Sequence, residues 1–330
     1  MFSLIFATAL LAAPQSAPVA QTPLVAQTPS ASQAPVRLED VMVDARRLED
    51  STEAYVDLVA APARRRGLAR WKDGMCVGVA NLEVETAQYL ADRVSDVARS
   101  LGLRAHEPDC HPSVLIIATS DGPSFTEAFV AMRPRLFRVG GAGMDRGSAE
   151  LRDFIREDRP VRWWHVSLPV NSETGETVVR LPGWVSASGV AGTLESTAQE
   201  YAPNTAVFAA SRLTTQYVDV LKRVFIIVDV DRLNGASLQQ LGDYVAMVAM
   251  AQVDPDADTD RFDTILNLFD DPAAAPSGLT GWDRAYLEGL YDSGSITRRI
   301  NQRAQVQAVA AAIASAYRGG SAEPDGLEQP

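Results

Sequence analysis

Residues 237–291, SLQQLGDYVAMVAMAQVDPDADTDRFDTILNLFDDPAAAPSGLTGWDRAYLEGLY, decide the fold. Ser237 followed three residues later by Gln240 is the pattern of a capping box, in which each side chain satisfies a backbone N–H at a helix start. It predicts a helix from there to Asp254 and Pro255, since proline cannot continue one. Every residue from Tyr244 to Ala251 is apolar. Over two turns the helix therefore has no wet face and has to be covered by protein on all sides. An aspartate-rich loop, a short apolar turn and a second helix follow it. A helix buried all round belongs at the centre of a layered fold, and the rest of the chain has to supply the layers.

This order of elements, with DTILNLF at 263–269 and LTGWDRAYLEGLY at 279–291, resembles the metzincin-type zinc peptidases. In those, a helix carrying HExxHxxGL leads through a loop to a tight apolar turn and a C-terminal helix ending in LY. It resembles more closely a family of secreted bacterial proteins of unknown function with metzincin-like organisation, whose Arg-Trp before the first strand is matched by Arg70 and Trp71. The similarity spans Leu38 to about Ser293 and is most specific in its last quarter. It implies an α+β fold, a zincin-like mixed twisted sheet with a buried central helix and a C-terminal helical part.

The resemblance also implies that the chemistry is missing. The metal-ligand and base positions fall on Val245, Ala246 and Ala249, whose side chains have no lone pair to bind Zn²⁺ or move a proton. No histidine follows His165, so no shift of register restores them. No cofactor is expected, and the leading function is a non-catalytic protein that binds a peptide or protein partner. Two alternatives stand beside it: a metal-dependent hydrolase with a rearranged site using His165 and Asp229, and a structural envelope protein whose acidic loop holds Ca²⁺.

Outward from this stretch, the 330-residue chain carries a formal charge of -12, which makes nucleic acid and anionic membrane surfaces poor partners. MFSLIFATALLAA at 1–13 is too short to span a bilayer and sits where a secretory signal belongs. Residues 1–20 are expected to be a signal peptide, placing the protein in the periplasm or outside the cell with no transmembrane span after cleavage. Residues 21–37, rich in Ala, Pro and Gln, read as a disordered linker. The folded part is expected over 38–318, in halves 38–150 and 151–318, with a disordered tail at 319–330.

In the first half, LEDVMVDA at 38–45 reads as a strand and 51–60 as a short helix. CVGVA at 76–80 and VLIIA at 114–118 read as buried strands on either side of a helix marked by Val84, Ala87, Leu90, Val94, Val97 and Leu101. Strand, helix, strand favours a parallel pair. Cys76 and Cys110 are the only cysteines. In an exported protein they are expected to form a disulfide, a reactive thiol beside His106 or His111 being the alternative. GGAGMDRG at 140–147 fails both phosphate-loop templates and reads as a surface loop.

VRWWHVSLPV at 161–170 alternates as a half-buried strand, with Trp163, His165 and Ser167 on one face. Trp163, His165 and Asp229 are the candidate lining of any surviving cleft, because an edge strand near the central helix pairs with extended substrate in zincins. A Ser-, Thr- and Gly-rich insertion at 171–204 contains no nucleophile elbow. Strands are expected at 207–217 and 224–230, the second buried on both faces. After the central helix, Asp254, Asp256, Asp258 and Asp260 alternate as at the opening of a calcium loop, but Thr259 and Ile265 stand where Gly and Glu are required. Asp256, Asp258 and Asp263 remain as a looser Ca²⁺ ligand set, against the reading of a solvated, self-repelling loop. An Ala-rich helix at 296–317 packs one face on the domain.

Overall fold

The structure, a computed structural model, describes residues 38–63, 66–72, 74–107, 109–137, 145–172, 174–178, 217–292 and 302–320. The expected signal peptide and linker lie outside these residues, as do most of the C-terminal tail and all but the last residue of the strand expected at 207–217. The chain divides into two compact units, Met1–Met42 and Val43–Pro330. Of the first, the described part is the opening of a helix.

That helix, α1 (Leu38–Val59), replaces the strand expected at 38–45. Leu38, Val41, Met42 and Ala45 recur at i, i+3, i+4 and i+7, and no Gly or Pro interrupts the run to Val59, so the helical period wins. The second unit adds β1 (Val77–Ala80), α2 (Val84–Ser100), β2 (Val114–Thr119), α3 (Gly122–Met132), α4 (Pro134–Phe137), α5 (Ser148–Arg156), β3 (Val161–Asn171), β4 (Tyr217–Asp229), α6 (Leu238–Met250), α7 (Gly281–Tyr291) and α8 (Gln302–Gly320).

The fold is mixed α+β. Four strands form one open sheet in the order β1-β2-β4-β3. β1, β2 and β4 run parallel, Val77 opposite Val114 and Val114 opposite Val224. β3 runs antiparallel to β4 along the edge, Val161 opposite Val228, with a register shift between Val166 and Ser167. Helices cover both faces. Leu90, Val94 and Trp163 join the α6 residues in one core, while Trp164, Val166, Phe225 and Ile227 pack with Val130, Phe137 and Phe154 in another. The half-buried alternation expected for β3 is therefore corrected: Trp163 and Trp164 are 7% and 4% exposed because each face meets its own helical layer.

Cys76 and Cys110 form the expected disulfide, with Cα atoms 6.0 Å apart. It ties the entry of β1 to the loop before β2. Both halves of the capping box at Ser237 and Gln240 are present. α6 nevertheless stops at Met250, not at Pro255. Ala251 is extended, and the chain after it pairs with the end of α1: Ala61 N donates to Gln252 O at 2.8 Å and Asp254 N to Val59 O at 2.8 Å. Distant backbone, not proline, ends the helix.

Candidate functional site

α6 determines what chemistry the centre of the fold can perform. Val245, Ala246 and Ala249 are each 0% exposed, so the positions implied for metal and base have neither a donor atom nor access to solvent. The last four carbonyls of a helix have no partner within it, and here all four are occupied. Ala251 N donates to Met247 O at 3.2 Å. His165 Nε2 donates to Val248 O at 2.7 Å, Trp71 Nε1 to Ala249 O at 2.9 Å and Tyr291 OH to Met250 O at 2.6 Å. Just beyond, Trp163 Nε1 donates to Val253 O at 3.0 Å.

His165 is thus a helix cap. Burial pushes its imidazole down to about 4, the carbonyls of Val248 and Ala251 opposing and the Arg146 charge assisting. The neutral ring, with its proton on Nε2, is the form that fits the Val248 carbonyl.

The structure separates the three residues of the candidate cleft. Trp163 and His165 face α6, whereas Asp229 lies on the opposite face of the sheet, where its Oδ2 accepts from Gly122 N at 3.0 Å and caps α3. Asp229 stands opposite Pro160, five residues along β3 from His165, a separation of about 16 Å at the strand rise of about 3.3 Å per residue. A His165–Asp229 catalytic pair is excluded by this geometry. Beside Asp229, Arg162 donates to Ile155 O at 3.0 Å and Phe154 O at 3.3 Å, closing the C-terminal end of α5. Arg162 Nε and Asp229 Oδ1 are buried without a partner.

The acidic loop is clipped down at its start, while Asp258 and Asp260 further along repel Asp270. Asp254 pairs with Arg146 at 3.3 Å, and Asp256 pairs with Arg159. Asp258 and Asp263 are exposed. Among the described residues no three His, Cys, Asp or Glu side chains come close enough to share a cation, so Asp256, Asp258 and Asp263 are not gathered into a Ca²⁺ site.

What the structure adds is an edge. Asp229 N donates to Pro160 O, so by antiparallel alternation Arg162, Trp164 and Val166 bond to β4 while Val161, Trp163 and His165 turn their N–H and C=O outward. Past the register shift the outward groups are used: Ser167 O accepts from Arg66, Pro169 O from Val178 N, and Asn171 N donates to Glu176 O. No described residue pairs with those of Val161, Trp163 and His165. Two hollows of about 20 and 10 Å³ follow this edge, one beside Trp163 and Trp164, the other beside His165 and Ser167.

Sequence reasoning missed Arg146, which borders both hollows, because it stands in a glycine-rich loop with no period. It missed Asp243 as well, 1% exposed in the middle of α6, which pairs with Arg93 and accepts from Leu279 N at 3.0 Å. A lone carboxylate in an apolar helix was the available signal, since such a group needs a buried partner. No family model matches the chain, and none of the curated proteins or solved structures compared with it matches either.

Proposed function

We propose that this is a periplasmic or secreted, non-catalytic binding protein of zincin-like organisation that takes an extended peptide as an added strand on the outer edge of β3. One observation carries the reading: the outward backbone groups of Val161, Trp163 and His165 have no partner among the described residues, beside a helix whose Val245, Ala246 and Ala249 are buried and carry no donor atom. Unpaired N–H and C=O groups along a strand edge are a template for a further strand, and an incoming extended peptide satisfies them.

The zincin-like reading draws support from three parallel strands, an antiparallel edge strand and a central helix following the last strand. Export draws support from the Cys76–Cys110 disulfide. No helix among the described residues is long and apolar enough to cross a membrane.

A bead-bound library of acetylated pentapeptides, screened against labelled protein, tests the reading. Alternating β-branched sequences are expected to be retained. N-methylation of the peptide amides facing β3 is expected to abolish retention, and methylation of the intervening amides to leave it intact. Turnover of casein or of a library peptide that vanishes in His165→Gln, or stoichiometric zinc in the purified protein, refutes the reading in favour of a hydrolase. Stoichiometric calcium would favour the structural alternative.

A further inference from the structure

Arg146 stands over the edge of β3 and borders both hollows. Its Nη2 lies 2.8 Å from Glu150 Oε2 and 3.3 Å from Asp254 Oδ1, joining the first turn of α5 to the acidic loop. The same region holds Asp153, Glu157 and Asp256. Of its other cations, Arg159 is committed to Glu157 and Asp256, and Arg162 donates to the α5 carbonyls. Without Arg146, the Glu150 and Asp254 carboxylates would face each other with no cation between them. A second observation lies beside it: the outward backbone groups of Val161, Trp163 and His165 have no partner among the described residues.

We propose, resting on the strand-addition reading above, that Arg146 is an internal stand-in for a basic side chain of the partner peptide. The partner's arginine or lysine replaces it between Glu150 and Asp254, while the peptide backbone pairs with Val161, Trp163 and His165. The free protein is then a closed state, held by its own Arg146 until a peptide with the matching charge displaces it. Two carboxylates holding one guanidinium form charge-assisted hydrogen bonds, stronger than neutral ones. Neutral and acidic peptides lack the cation needed to take the place of Arg146.

The test uses fluorescein-labelled Thr-Val-Arg-Val-Thr amide and its Gln and Glu analogues, with binding read by anisotropy to the full chain. Arg146→Ala is expected to bind the Arg peptide at least about 10-fold more tightly than the wild type does, and the Gln peptide about 10-fold more weakly than the Arg peptide. Adding Glu150→Gln and Asp254→Asn to Arg146→Ala is expected to erase that preference. If Arg146→Ala does not fold, Arg146→Gln keeps the arm without the charge and carries the same expectations. Equal binding of the Arg and Gln peptides by the Arg146 variant overturns the basic seat and leaves strand addition standing. An Arg peptide bound no better by the variant than by the wild type overturns the stand-in role. No binding of any peptide to any variant overturns this proposal together with the function on which it rests.

Discussion

Replacing His165 by glutamine separates the two roles the imidazole could play, because a Gln side-chain amide can still donate to Val248 O but cannot titrate. In the folded protein the imidazole is pushed down to about 4, against 6.5 for a free one. The unfolded chain therefore binds a proton that the folded chain refuses between these values, and stability falls as pH drops through that window. The gap corresponds to ~3 kcal/mol, an upper figure because His165 keeps some surface accessible to solvent. Asp283 and Asp270 act in the opposite sense. Burial holds both carboxyls above the usual range, helped at Asp270 by Asp260 and Asp258, so their contribution grows on acidification and is lost as pH rises. The wild-type profile alone mixes these slopes, and the difference between wild type and His165→Gln isolates the imidazole. Urea unfolding followed by tryptophan fluorescence at pH 7, 6, 5 and 4 measures it. The wild type is expected to lose ~2–3 kcal/mol relative to the variant between pH 7 and pH 4. A difference that stays flat to within ~0.5 kcal/mol would falsify the assignment of His165 as an imidazole held neutral by burial.

Four further outcomes are expected. Ala246→Glu, which supplies a base at the implied catalytic position, buries an unpaired carboxyl at a site with 0% exposure; it is expected to cost on the order of 4 kcal/mol by chemical denaturation and to yield no peptidase activity. Asp283→Asn can keep one oxygen for Ile265 N and Thr280 N, which share Oδ2, but turns the other, which accepts from Thr264 Oγ1 and Tyr55 OH, into a donor, with an expected loss of ~1–3 kcal/mol in the same assay. Replacing Cys76 and Cys110 together by serine reopens a chain closure of 34 residues, worth ~3–4 kcal/mol, and a melting temperature unchanged by the replacement contradicts the bond. Gly122→Ala puts a Cβ 2.9 Å from Arg162 Nη2 and 3.1 Å from Asp229 Oδ2; the start of α3 has to move, at ~1–3 kcal/mol by calorimetry.

The parts of the fold legible in the sequence are those whose cause is local. The Ser237 and Gln240 pair sits three residues apart, and the apolar stripe of α2 lies within one helix, so neither needs knowledge of the tertiary structure. β4 is readable for a related reason, since only a strand covered on both faces tolerates VFIIVDV. Misreadings arise where two local patterns compete or a distant segment decides. LEDVMVDA satisfies a strand's alternation in part and a helix's period in full. The end of α6 depends on Val59 and Ala61, nearly two hundred positions earlier. The site is less legible still. His165 could be picked out as a polar group on an aromatic strand, but its acceptor is 83 residues away. Asp229 looked like a partner for it because both are titratable, and only the register of β3 on β4 puts them on opposite faces.

The capping of α6 bears directly on where a ligand can enter. Its terminal carbonyls are satisfied by Trp71 before β1, His165 on β3 and Tyr291 at the end of α7, three donors from segments that meet only in the finished fold. Each such bond stabilises modestly when made, but a buried carbonyl left without a donor costs ~1–3 kcal/mol. Opening this end of the helix would strand several carbonyls at once. A cleft over this end of the helix is therefore costly to open. On the other side of His165 the situation reverses. Arg146 is held by two surface carboxylates whose side chains are about a third exposed, and exposed ion pairs are individually weak, ~0–1 kcal/mol. The same residue thus faces a closed helix end on one side and a loosely held arginine on the other. A partner that reaches it has to come along the edge of β3.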